Sequence, residues 1–133
     1  MSNGNICCVG QQIISQAIYA DSSLTKTEVA NVFAVKRPSI WRYDKLIYYI
    51  IKDYREDYPL LPNDLQLIKK RGCKRDRTVP LTSYQSWVLS LVRACFIQLG
   101  RASRVKDFIQ SNPYLFTKDR YFYELKNLAK TAV

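Results

Sequence analysis

The chain has 133 residues, of which 21 are Lys or Arg and 11 are Asp or Glu, giving a formal charge of +10 with no histidine. The missing histidine excludes Ser-His and Cys-His nucleophile pairs, a histidine general base and any metal site that needs an imidazole. A 47% hydrophobic share with 13% aromatic residues is too rich for a disordered basic tail, so the charge belongs to a folded body of the kind that attracts a polyanion.

In chain order, Ile13, Ile14, Ala17 and Ile18 recur at helical spacing between Gln11 and Ala20, ahead of the polar Asp21-Ser22-Ser23 turn. Thr25-Lys26-Thr27-Glu28 has the form of a capping box and opens a short helix with Val29, Ala30 and Phe33 facing inward. Ala34-Val35-Lys36 reads as a turn. Arg37-Pro38 then opens a third helix, Pro taking the first helical position, and the pattern extends to Tyr54. Pro59 and Pro62 punctuate the chain before Lys69-Lys70-Arg71-Gly72-Cys73-Lys74-Arg75-Asp76-Arg77, whose glycine and charge density suit a hairpin tip or loop.

Thr82-Ser83-Tyr84-Gln85 is a second capping box, leading into a helix with Tyr84, Trp87, Val88, Leu91, Val92, Cys95 and Leu99 on one stripe, closed by Gly100. A further helix spans Arg101 to Ser111 and stops at Asn112-Pro113, and a last one runs from Lys118 to Lys130. The expected fold is mostly α, with room for a small β wing between residues 59 and 81. The expected organisation is a DNA-binding region over 1–81 and a helical packing and dimerisation region over 82–133, within one compact unit.

The basicity is uneven. Residues 1–35 hold one base and two acids, residues 36–77 twelve bases and six acids, and residues 78–133 eight bases and three acids. A polyanion-binding surface is therefore expected to begin near Lys36. Cys7, Cys8, Cys73 and Cys95 show neither Cys-x-x-Cys spacing nor a regular framework, which points to reduced thiols in a cytoplasmic protein. Leu46 to Ile51 is far shorter than the roughly 20 residues a bilayer span needs, and no basic segment precedes an apolar run at the N-terminus. No membrane, metal or cofactor partner is expected.

Two helices joined by a three-residue turn form a helix-turn-helix only where the contact positions are small or apolar. Ala30 supplies the small residue, Ala34 stands where Gly is commonest, and Val35 and Ile40 fill the angle between the helices. The remaining positions of the second helix, Lys36, Arg37, Ser39, Trp41, Arg42 and Lys45, are basic or polar, as a helix in the major groove requires. The same pattern would also describe an ordinary helical hairpin with a solvated basic face.

The run EVANVFAVKRPSIWRYDKL over residues 28–46 resembles the start of a MerR-type winged helix-turn-helix, which reads E-x-A, G-V-S and T-L-R-Y-Y-[DE]-[KR]-I-G-L. Ser39-Ile40 stand at T-L, Tyr43-Asp44-Lys45 at Y-[DE]-[KR] and Leu46 at the following aliphatic, whereas Ile47 replaces the family's Gly and the Tyr-Arg wing signature is missing. The resemblance implies a winged helix-turn-helix with C-terminal helices, acting as a DNA-binding regulator. It places Lys69 to Arg77 in the order of a displaced wing. The chain's length suits small repressors of this type carried by mobile elements, including CRISPR-associated transposons.

These readings converge on a homodimeric transcriptional repressor of double-stranded DNA bearing a palindromic operator, and not an enzyme. Arg37 and Arg42 are the candidates for base edges, and Lys36, Lys45, Lys69, Arg71, Lys74, Arg75 and Arg77 for phosphates. Ser39 lies on the same helix, and Trp41 packs either on sugar and thymine methyl or in the core. Tyr121, Phe122, Leu125 and Leu128 on the final helix are the dimerisation candidates. Three other readings remain open: a structural RNA-binding subunit of a ribonucleoprotein, supported by ten tyrosines; a winged-helix recombination directionality factor; and a metal-dependent nuclease built on Asp53, Glu56, Asp57 and Asp64.

Overall fold

A computed structural model describes residues 8–20, 22–57 and 80–131. Its helices are α1 (Cys8–Ser15), α2 (Lys26–Phe33), α3 (Arg37–Tyr48), α4 (Lys52–Glu56), α5 (Ser83–Leu99), α6 (Ala102–Ser111) and α7 (Lys118–Thr131), with a 3₁₀ turn at Pro113–Phe116. The fold is mostly α. Among the described residues there is no strand; the expected wing falls largely on residues 58–79, which lie outside the described set, as do Lys69, Arg71, Lys74, Arg75 and Arg77.

The helix α5 is the axis of the molecule. Its residues Tyr84 to Val92, with Ala94 and Cys95, are all buried, and α1, α3, α4, α6 and α7 pack around it. A helix apolar on all sides is stable only when enclosed, which is what these neighbours do. Two buried polar side chains on α5 bond to neighbouring segments, whereas Ser86 Oγ is buried with no hydrogen-bond partner among the described residues. Gln85 Nε2 donates to the Tyr54 carbonyl at 3.1 Å, and Ser90 Oγ donates to the Trp87 carbonyl at 2.6 Å while accepting from the Ile18 N–H at 2.9 Å. Burial pushes the Cys95 thiol up to about 12, leaving it a small hydrophobe at neutral pH.

Both capping boxes form. Thr25 accepts from the Glu28 N–H and Thr82 from the Gln85 N–H, and the Glu28 and Gln85 side chains reach back to the threonine N–H groups at 2.9 Å. The residues just before them, Leu24 and Leu81, form an antiparallel bridge with hydrogen bonds of 3.2 and 2.7 Å. Two helices distant in sequence thus start side by side, and the regions expected at 1–81 and 82–133 share one hydrophobic core.

Three expectations need correction. The helix predicted over Gln11 to Ala20 instead ends at Ser15. The helix predicted from Arg37 to Tyr54 is broken after Tyr48, and Arg55 Nη1 donates to the freed Tyr48 carbonyl at 2.9 Å. Pro38 sits second in α3 rather than first, still within the turn where its missing N–H has no helical partner to lose.

Candidate nucleic-acid interface

The turn between α2 and α3 works without glycine, at a cost. Ala34 adopts a left-handed conformation, with φ 56°, that an L-residue reaches only against steric opposition. Its N–H donates to the Asn31 carbonyl at 3.2 Å and the Val35 N–H to the Ala30 carbonyl at 3.0 Å, the paired bonds of a Schellman motif. These bonds offset the backbone strain. The half-buried Val35 then packs on the core beside Ala30, and α3 leaves the turn with Ile40 and Ile47 fully buried.

Buried positions on α3 are Ile40, Tyr43, Asp44 and Ile47, one stripe at helical spacing. Tyr43 stacks on Phe96 of α5 at 5.2 Å between ring centroids, and burial raises its hydroxyl pKa. The opposite face exposes Arg42 and Lys45; Arg37 is exposed in the first turn, with Lys36 at the N-cap and Ser39 half-buried. Among the described residues, none of these four bases has an acidic side chain within 4.0 Å. Trp41 is half-buried against the core, with Lys26 Nζ 5.5 Å from its ring centroid and the Arg37 guanidinium 5.9 Å from it.

Asp44 does not join the outer charges. It is 1% exposed and pairs at 3.6 Å with Lys26, itself 0% exposed, while Tyr54 donates its hydroxyl to Asp44 Oδ1 at 2.6 Å. One carboxylate therefore ties α2, α3 and α4 together. The arrangement also accounts for the break in α3. Ten residues of continuous helix would carry Tyr54 about 15 Å beyond Asp44, so the chain must fold back for the hydroxyl to reach. Because α3 keeps its single acid inward, the charges on its outer side are all basic.

Toward its C-terminal end, that face adjoins α6. Arg42, Lys45, Leu46, Tyr49, Ile50 and Lys106 line a groove of about 310 Å³. Lys106 is a contributor the sequence reading missed, because nothing local connects it to α3. Its one visible signal was the core stripe Val105 and Ile109 on α6, which turns Lys106 outward.

Asp53, Asp57 and Glu56 are engaged elsewhere. Asp53 Oδ2 accepts from the Lys118 N–H at 3.0 Å, at the start of α7, and Asp57 accepts from the Thr82 hydroxyl and pairs with the Lys118 ammonium. Glu56 is 3.8 Å from Lys52 on the exposed side of α4, and Asp64 lies outside the described residues. Of the acids of the nuclease reading, Asp53 and Asp57 thus serve helix ends and Glu56 a surface pair. Among the described residues, no cluster of three or more Cys, Asp or Glu could hold a metal ion.

The dimerisation candidates divide. Tyr121 is 7% exposed and packs at 5.3 Å on Trp87 and 5.8 Å on Tyr84, so it belongs to the chain's own core and cannot serve a partner. Leu125 is half-buried against the same cluster. Phe122 and Leu128 are exposed, together with their neighbour Tyr123. No described helix is long and apolar enough to cross a membrane. No family model, curated protein or solved structure matches this chain.

Proposed function

We propose that the chain binds double-stranded DNA sequence-specifically through α2, the Ala34 turn and α3, and that it acts as a homodimeric transcriptional repressor. One observation carries this reading: α3 presents Lys36, Arg37, Arg42 and Lys45 outward, with no acid beside them, on a helix whose opposite stripe is anchored in the core. A helix so held offers side chains to a groove without losing its packing, and two-fold pairing doubles the contacts a single short helix can make. Arg37 and Arg42 have the fork that reads guanine, and Lys36 and Lys45 suit phosphates. The resemblance of residues 28–46 to MerR-type regulators supports the helix-turn-helix part of this reading, and no wing is invoked. Phe122, Tyr123 and Leu128 are exposed on α7, where a second copy would pack.

Footprinting the full chain on the DNA flanking its own gene tests the proposal. The expected result is a protected, two-fold symmetric site bound more tightly than random duplex. Tighter binding to single-stranded RNA without sequence preference would overturn it and favour the ribonucleoprotein alternative.

A further inference from the structure

The groove at the end of α3 has a composition that a DNA-reading face alone does not require. It is lined by Leu46, Tyr49 and Ile50, with Tyr49 64% exposed, and by the bases Arg42, Lys45 and Lys106; no acid lines it. The aliphatic stems of the three bases extend the apolar lining while their charged heads reach toward water. An apolar trough lined also by three bases complements one ligand chemistry: an acyl or aryl body carrying an anionic head. A volume of about 310 Å³ is at the small end of what ligand sites hold, which fits a small molecule better than a folded partner. A wholly polar anion would leave Leu46 and Ile50 wet, and a neutral hydrophobe would leave three cations without a counter-charge.

We infer that this groove binds a small amphipathic anion, with its apolar body against Leu46, Tyr49 and Ile50 and its carboxylate, sulfonate or phosphate head among Arg42, Lys45 and Lys106. Resting on the DNA-binding reading, the inference adds that the ligand competes with DNA, because Arg42 and Lys45 serve both. Occupancy of the groove then lowers operator affinity, and effector control needs no separate domain.

The test uses the full chain with 8-anilinonaphthalene-1-sulfonate as probe and laurate, well below micelle-forming concentration, as competitor. The expected result is one saturable probe site per chain, displaced by laurate but not by dodecanol. It should be weakened at least tenfold by Ile50→Trp, which fills the groove, and severalfold by Lys106→Gln, with circular dichroism confirming that both variants fold. Probe binding unchanged in both folded variants, several sites per chain, or equal displacement by dodecanol would overturn the site. If Ile50→Trp fails to fold, Lys106→Gln decides alone. In a second arm, saturating laurate should weaken duplex binding at least fivefold in the wild-type chain. An unchanged duplex affinity overturns the competition while leaving the site. A chain that takes up the probe as expected but binds no duplex overturns the DNA reading instead.

Discussion

The helices α3 and α7 both carry bases outward from the same core, yet they use them differently. On α7, Lys118 pairs with Asp57, and Arg120 pairs with Glu124 at 2.6 Å and lies 5.0 Å over the Tyr123 ring. On α3 the single acid, Asp44, is turned inward to Lys26, and the outer bases have no acidic neighbour among the described residues. A formal charge of +10 therefore says little about where a polyanion docks. The first turn of α7 pairs its bases with acids, and a base already paired gains less from a phosphate and must first be separated from its partner. Lys126 and Lys130 farther along α7 are exposed and have no acid within 4.0 Å among the described residues, so they differ from the α3 bases in position alone.

The comparison breaks most severely at Asp44. Asp44→Ala removes the carboxylate that faces both the buried Lys26 ammonium and the Tyr54 hydroxyl, and the expected loss is about 3–5 kcal/mol of unfolding free energy by urea titration. The triple change Lys26→Met, Asp44→Leu and Tyr54→Phe should recover most of that loss, because an apolar cluster of similar volume carries no desolvation penalty and no buried hydroxyl loses its acceptor. If Asp44→Ala is nearly neutral, the pair does not hold α2, α3 and α4 together.

Next in size come the outward arginines. Arg37→Ala and Arg42→Ala are each expected to reduce discrimination between operator and random duplex by about 1–3 kcal/mol without lowering the unfolding midpoint, whereas Lys45→Ala should weaken both duplexes alike and flatten the salt slope by about one ion. Three identical effects in a mobility-shift titration would remove the division between base-reading and phosphate-holding residues.

A smaller effect is expected at the turn. Ala34→Gly should raise stability by about 1 kcal/mol, since glycine reaches φ 56° without the steric cost, and thermal melting checks the direction. The smallest effect concerns the shared core. Cys95, pushed up to about 12 by burial, should resist iodoacetamide in the native chain and react once urea unfolds it, as read by mass spectrometry of its peptide. The sign for stability follows: the unfolded thiol ionises near its ordinary value of about 8.5 and the native one only near 12, so this contribution is complete below about pH 8.5 and declines as pH rises through that interval.

Local signals in the sequence located most of the helix starts and stops. The pairs Thr25 with Glu28 and Thr82 with Gln85, Gly100 after α5, and Pro113 after α6 act within a few residues of themselves, so their consequences could be read directly. Long-range consequences could not. Lys26 counts as one more solvated base until Asp44 is brought against it, and the break after Tyr48 is set by where Tyr54 and Arg55 must reach. Tyr121 and Phe122 are neighbours of like chemistry, and only the placement of Trp87 and Tyr84 decides which of them is core. For the candidate interface, the bases of α3 were legible because the helix-turn-helix spacing fixes which positions point outward. Lys106 was not, because α6 meets α3 only in three dimensions.

The central claim is that position, not total charge, makes α3 the DNA-binding face. Its most direct test compares two double charge reversals of equal size, Arg42→Glu with Lys45→Glu on α3 and Lys126→Glu with Lys130→Glu on the exposed side of α7. Duplex affinity is measured for both at one salt concentration. The account predicts more than about a hundredfold loss for the α3 pair and a change within about threefold for the α7 pair. Equal losses from the two pairs would contradict it and return the molecule to a uniformly basic body with no dedicated face.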